Sequence, residues 1–166
     1  MQRLRKELEK VYDNYSRQLF VCALGVTRST QAAEDALHEA FCRGFELKRM
    51  PRNLKAYMFA SVRNAAIDHV RRRSRTDALA DNYIFDSAPG PAELVEQKQF
   101  GEAVAKALLR LSEDERETIV QHLYADLTFQ EIADMRGRPL GTVASWYRRG
   151  LTRLKAYLET RNYGKV

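Results

Sequence analysis

Cysteine is almost absent, with Cys22 and Cys42 the only two in 166 residues. Both lie in apolar helical context, so two reduced, buried thiols are expected. A single bridge between them is the one disulfide this composition permits. No apolar run approaches the roughly 20 residues of a membrane span, so membrane insertion is not expected. The opening MQRLRKELEK is charged and helical and lacks the apolar centre of a signal peptide. These features suggest a cytoplasmic protein. A glycine-rich phosphate loop is missing too. His38, His69 and His122 fall in separate segments without metal-ligand spacing, and no carboxylates cluster as a two-metal site requires. Neither a metal, nor a cofactor, nor catalytic chemistry is expected. Alternating strand patterns, internal repeats and low-complexity tracts are also lacking.

What remains is helix and positive charge. The hydrophobic content is 45% and the formal net charge is +6. The first supports a folded core. The second suits a polyanionic partner, either nucleic acid or an anionic membrane surface.

The last third is the most specific part. LTFQEIADMRGRPLGTVASWYRRGLTRLKAYL, from Leu127 to Leu158, reads as helix, turn, helix. Thr128 is a good N-cap with Glu131 at the third helical position, a capping-box pair. Phe129, Ile132 and Ala133 form the inward stripe. Arg136-Gly137-Arg138 supplies the turn, Gly137 being free to take a positive φ, and Pro139 suits the start of the next helix. On a wheel of 100° per residue Val143, Tyr147, Gly150, Leu151 and Leu154 fall on one side. Gly141, Ser145, Arg148, Arg149 and Thr152 fall on the other. From Arg136 to Leu158 there is no acid, and Arg136, Arg138, Arg148, Arg149, Arg153 and Lys155 are basic. A second helix with such a face is suited to the DNA major groove, with Arg148 and Arg149 as readers of phosphate or guanine.

Upstream, the spacing predicts a helix over Leu4–Val26 with Leu8, Val11, Tyr12, Tyr15, Leu19, Phe20 and Ala23 on one face. Arg28-Ser29-Thr30 breaks it and offers a cap. A second helix runs Thr30–Phe45, with Ala33, Ala36, Leu37, Ala40 and Phe41 inside and Glu34, Asp35, His38 and Glu39 outside. Glu46–Asn53 is a loop, and Leu54–Arg73 a third helix. Ser74–Pro91 changes composition and reads as a tether around Tyr83, Ile84 and Phe85. From Thr76 to Glu102 the acids are Asp77, Asp81, Asp86, Glu93, Glu96 and Glu102, against Lys98 alone. That segment is either a solvated linker or one that mimics nucleic acid or threads a basic channel. A helix over Ala92–Leu109 follows, then one that is capped by Ser112 and Glu115 and runs to about Tyr124. The expected fold is all-α, as two small helical domains joined by a flexible linker. Their bounds are 1–75, 76–91 for the linker, and 92–166, the last holding the helix-turn-helix.

The whole chain resembles a bacterial extracytoplasmic-function (ECF) sigma factor of the sigma-70 family, a promoter-recognising subunit of RNA polymerase. Ala32-Ala33-Glu34-Asp35-Ala36-Leu37-His38-Glu39-Ala40-Phe41 resembles the helix that docks on the clamp coiled coil of the polymerase's largest subunit. Leu54-Lys55-Ala56-Tyr57-Met58-Phe59 and Val62-Arg63-Asn64-Ala65-Ala66-Ile67-Asp68-His69-Val70-Arg71-Arg72-Arg73 resemble the promoter-melting helix. Leu111-Ser112 and Pro139-Leu140-Gly141-Thr142-Val143 resemble the minus-thirty-five module. The resemblance implies core RNA polymerase and promoter DNA as partners, and allows an anti-sigma factor as a third. It implies polymerase binding by Glu34, Asp35, His38 and Glu39. Minus-ten recognition and melting fall to Lys48, Arg49, Arg52, Asn53, Tyr57, Phe59, Arg63, Asn64, Arg71, Arg72 and Arg73. Here the 46–53 loop would capture a flipped base, and Tyr57 and Phe59 either stack on bases or belong to the core. Minus-thirty-five contacts fall to Arg138, Thr142, Ser145, Trp146, Arg148, Arg149 and Arg153. Ala144 and Trp146 stand where the family often has basic residues, which shifts weight to Ser145, Arg148 and Arg149. Trp146 either braces the motif or packs a thymine methyl. Ala60 and Ser61 are smaller than is usual in the family. The competing functions are a stand-alone helix-turn-helix regulator, which leaves the first half unexplained, and a DNA-processing enzyme such as a recombinase, for which no catalytic cluster exists.

Overall fold

The structure is a computed structural model that describes residues 1–76 and 93–160. The described residues form seven α-helices: α1 Gln2–Thr27, α2 Thr30–Phe45, α3 Leu54–Thr76, α4 Glu93–Leu109, α5 Glu113–Ile119, α6 Phe129–Arg136 and α7 Leu140–Thr160. The described residues include no strand. A π turn, Val120–Tyr124, extends α5 to the point where the sequence predicts one continuous helix to end. Its wider winding is closed by the Ala125 N–H on the Val120 carbonyl at 3.1 Å. The expected 76–91 linker lies, apart from Thr76, outside the described residues. So do Tyr83, Ile84, Phe85 and the acids from Asp77 to Asp86.

Helices α1, α2 and α3 form a three-helix body. Arg28 takes a left-handed φ of 56° and returns its N–H to the Leu24 carbonyl, which ends α1. Ser29 is extended, and its hydroxyl accepts the Ala32 N–H, which starts α2. The break therefore falls where sequence places it. Ala33, Ala36 and Ala40 are buried, so α2 approaches its neighbours closely. Gly44 adds to this, because a side chain there would press on Leu8 and Met58. The Asn53 side-chain oxygen accepts the Ala56 N–H and caps α3.

In the second half Ser112 and Glu115 form a full capping box on α5. Thr128 accepts the Glu131 N–H at 3.1 Å, the forward half of the box expected there. Gly137 has φ 61° and closes α6. Pro139 accepts the first amide bonds of α7 through its carbonyl, so it sits at the cap, one place before the first helical position. Ala107, Leu108, Leu111, Ile119 and Leu154 make a local core here.

The two helical halves also pack against each other. Ala125, Leu127, Ile132, Ala133 and Val143 share one apolar cluster with α1, α2 and α3. The C-terminal end of α1 is consequently buried outside its predicted stripe, at Cys22, Leu24, Gly25 and Thr27. Two expectations also fail locally. Cys42 is exposed rather than buried, because it lies on the outer face of α2. Tyr12 is exposed as well, with its ring edge against Phe41. Cys22 is buried as expected, and burial, helped by the Glu117 carboxylate, pushes its thiol well above the usual range.

Candidate DNA and polymerase surfaces

The helix-turn-helix is braced from behind. Gly150 of α7 packs on α5, where a Cβ would stand 2.8 Å from Ile119 Cδ1 and 3.1 Å from Glu115 Cβ. His122 donates from Nδ1 to the Leu127 carbonyl at 2.8 Å, and its ring stacks on Phe129 and meets the edge of Tyr147. Val143 and Leu154 are buried, as the wheel predicts. Arg148 and Arg149 are exposed on the other side, beside half-buried Thr142 and Ser145. Arg138 is exposed in the turn. Arg153 reaches back to the buried Glu115 carboxylate at 3.1 Å, and Arg149 lies 4.0 Å from it.

Arg136 departs most from its sequence reading. The sequence places it in the turn, among the basic residues of the motif, and its side chain is only 4% exposed. It pairs with Asp114, donates to Thr118 Oγ1 at 2.9 Å and lies 3.3 Å from Glu117. Its guanidinium sits 4.4 Å over the Trp146 ring. Trp146 is half-buried against the core, which favours the bracing role over a thymine contact. The acids that hold Arg136, Asp114 and Glu117, come from α5, beyond the reach of any helical periodicity.

In the first half the loop between α2 and α3 presents Lys48, Arg49 and Arg52 to solvent, with Met50 exposed beside them. Asn53 is exposed, but its oxygen is engaged as the α3 cap. Phe59 is a correction: at 2% exposure, edge-on to Tyr15, it is core and cannot stack on a base. Tyr57 is half-buried against the same core. Asn64 and Arg71 are exposed. Arg73 donates to the Thr27 carbonyl at 3.4 Å. Arg63 is ion-paired with Glu117 of α5 and partly buried.

On α2, Glu34, Asp35 and His38 are exposed, and Asp35 accepts from Gln31 at 3.0 Å. Glu39 differs. It pairs with Arg43, with His69 at 3.2 Å and with Arg72 at 3.8 Å, joining α2 to α3. Glu39 and Arg72 therefore partner each other across the two helices. The described residues hold no cluster suited to a metal ion.

The fold and its charged faces define a class: a small all-helical protein with a helix-turn-helix packed on a three-helix body. Residues 11–76 match the family Sigma-70 region 2, and residues 101–154 match Sigma-70, region 4. The chain belongs to the sigma-70 family, among its ECF sigma factors. It is 26% identical to the ECF RNA polymerase sigma factor RpoE of Cereibacter sphaeroides over 132 residues, 80% of this chain and 73% of that one. Against SigM of Bacillus subtilis the identity is 26% over 90% of this chain and 93% of the relative. Against SigM of Mycobacterium tuberculosis it is 29% over 94% and 81%. The fold is similar to that of the sigma factor RpoE of Bartonella quintana, solved in complex with the anti-sigma factor NepR. That likeness has a TM-score of 0.75 at 24% identity and covers 96% of this chain and 98% of the other.

Proposed function

We propose that this chain is a dissociable initiation subunit that binds core RNA polymerase, directs it to a set of promoters and helps to melt them. Promoter-specific initiation is the work of its family. The observation that carries the finer reading is the joint presence of two exposed basic surfaces in one chain. Arg148 and Arg149 face away from the core of a helix-turn-helix, and Lys48, Arg49 and Arg52 crown a loop on a separate three-helix body. A duplex-binding regulator needs only the first. The chain itself contributes binding and positioning, and the polymerase supplies the chemistry. The site of action is the cytoplasm, where the DNA is.

The polymerase-facing residues narrow to Glu34, Asp35 and His38, since Glu39 is committed to α3. Rim charges of this kind set encounter rate and register. Reconstituted transcription with core polymerase on a genomic fragment library tests the function. Wild type should give mapped, promoter-specific starts, and Glu34→Lys with Asp35→Lys should lower holoenzyme formation at unchanged helical content. Equal co-purification of the double variant with core polymerase would remove α2 from the contact. In the same assay Arg149→Ala should cost about 1–3 kcal/mol and relax selectivity at one promoter position, as for a bidentate base contact. A uniform loss over all sequences marks a phosphate contact instead.

A further inference from the structure

Glu115 is a carboxylate fixed at the joint between α5 and α7. It is the third residue of α5 and is 3% exposed. Its N–H donates to Ser112 Oγ at 3.3 Å, and its Oε2 accepts the Ser112 N–H at 3.3 Å, the two bonds of the capping box. The same Oε2 accepts from Arg153 Nη1 at 3.1 Å. Oε1 is left facing Arg149, whose Nε lies 4.0 Å away. That gap suits an ion pair and is too long for a hydrogen bond. Between the two arginines, Gly150 lets the α7 backbone pass directly over the acid, where a Cβ would stand 3.1 Å from Glu115 Cβ. The Arg149 side chain is 58% exposed, so its guanidinium has the acid behind it and solvent in front. Arg148 is exposed as well, and it has no acid partner among the described residues.

We infer, resting on the function proposed above, that Glu115 is a positioning residue for base reading, which aims the Arg149 guanidinium at one base pair. A guanidinium has a side edge at Nε and an end made of its two Nη groups. A carboxylate behind Nε leaves both Nη groups pointing outward, where they can meet O6 and N7 of a guanine together. An arginine held by nothing reaches phosphates from many rotamers, and phosphate contacts carry no sequence information. Discrimination between bases needs the fork in one place and one plane, which a fixed countercharge behind it supplies. Glu115 is suited to this because it cannot follow the arginine. It is buried and already bonded to Ser112 and Arg153. Arg153 then serves as the anchor that holds the acid and balances its charge.

The test uses holoenzyme assembled from core polymerase and the full chain, on a promoter mapped by the transcription assay above with its minus-thirty-five element randomised. Glu115→Gln keeps the capping box, since glutamine also serves at that position, and removes the countercharge. Wild type should prefer guanine at one position, and Arg149→Ala should flatten that preference. Glu115→Gln should weaken it about fivefold at the same position, within the range that one bidentate contact supplies. Any position read by Arg148 should be untouched. In the Arg149→Ala background Glu115→Gln should change nothing further at the guanine position. A preference is a ratio taken on one sample, so loss of folded protein cancels from it and a merely structural role for Glu115 would not move it. An unaltered profile for Glu115→Gln overturns the positioning role. So does equal flattening at all positions, or flattening that adds to that of Arg149→Ala. Absence of polymerase-dependent transcripts from wild type would defeat the proposed function itself, and the positioning role with it.

Discussion

Replacement of residues 48–52 by a Gly-Ser stretch should leave a protein that assembles with core polymerase, binds duplex promoter and fails to open it. The loop is held at both ends by helices and is exposed between them, with Lys48, Arg49, Met50 and Arg52 all facing solvent. Asn53, the α3 cap, lies just outside the replaced segment, so the helix start survives. Extruding a base costs a few kcal/mol, and a fitted pocket must offset that cost. A flexible loop offers no such pocket. The expected defect is therefore near-complete on closed templates and persists on a premelted bubble, because the loop reads the flipped base itself. Neutralising Arg71, Arg72 and Arg73 removes phosphate contacts, together with the Arg72–Glu39 pair and the Arg73 bond to the Thr27 carbonyl, and a bubble should partly rescue that variant. Permanganate footprinting separates the two. Normal thymine reactivity in the loop variant on closed DNA would end the assignment of base capture to this segment.

Arg136→Ala should destabilise the protein by about 3–5 kcal/mol, the range for removing one partner of a buried ion pair. Two effects add. Glu117 loses a cation while buried, and the Trp146 ring loses the guanidinium that covers it. Arg136→Lys should recover only part of the loss, since an ammonium lacks the planar fork that serves Asp114, Thr118 and Glu117 together. Denaturant unfolding followed by tryptophan fluorescence measures both variants, Trp146 being the only tryptophan. A loss under about 1 kcal/mol for the alanine variant would mean that this side chain lies at the surface, as its basic neighbours suggest.

Local signals in this sequence were read well because their causes are local. A serine three residues before a glutamate makes its capping box at Ser112 with no help from elsewhere. Gly137 takes a positive φ because the turn demands one. The α2 boundaries follow from Ser29 and from a run of small apolar residues. Long-range placement was not legible. Periodicity says which face of α1 is apolar, but not that the helix-turn-helix half covers its C-terminal end. Gly25 within a helix and Leu24 off the stripe were the available hints, and each has many causes. Arg136 and Arg149 look alike in sequence. Their fates differ because α5 brings Asp114 and Glu117 under one and leaves the other facing outward. Phe59 was open between base stacking and core, and position on α3 opposite Tyr15 decides for core. Arg148 and Arg149 follow from the helical wheel, whereas the loop candidates of the first half are legible only by likeness to a family.

Gly150 sets the height of α7 from behind its exposed face. It is the point where α7 rests on α5, with Ile119 and Glu115 filling the space of its missing side chain. Arg148 and Arg149 immediately precede it on the same rigid rod. A helix lifted there by even a methyl group carries both guanidinium tips outward together, and a bidentate bond does not tolerate much displacement before it is lost. With Arg148 and Arg149 as the proposed base readers, the choice of promoter would be calibrated from inside the protein, like a stylus whose depth is set by a stop behind it. Substitutions at Ile119 or Gly150 can retune which bases are preferred while every contact residue stays the same.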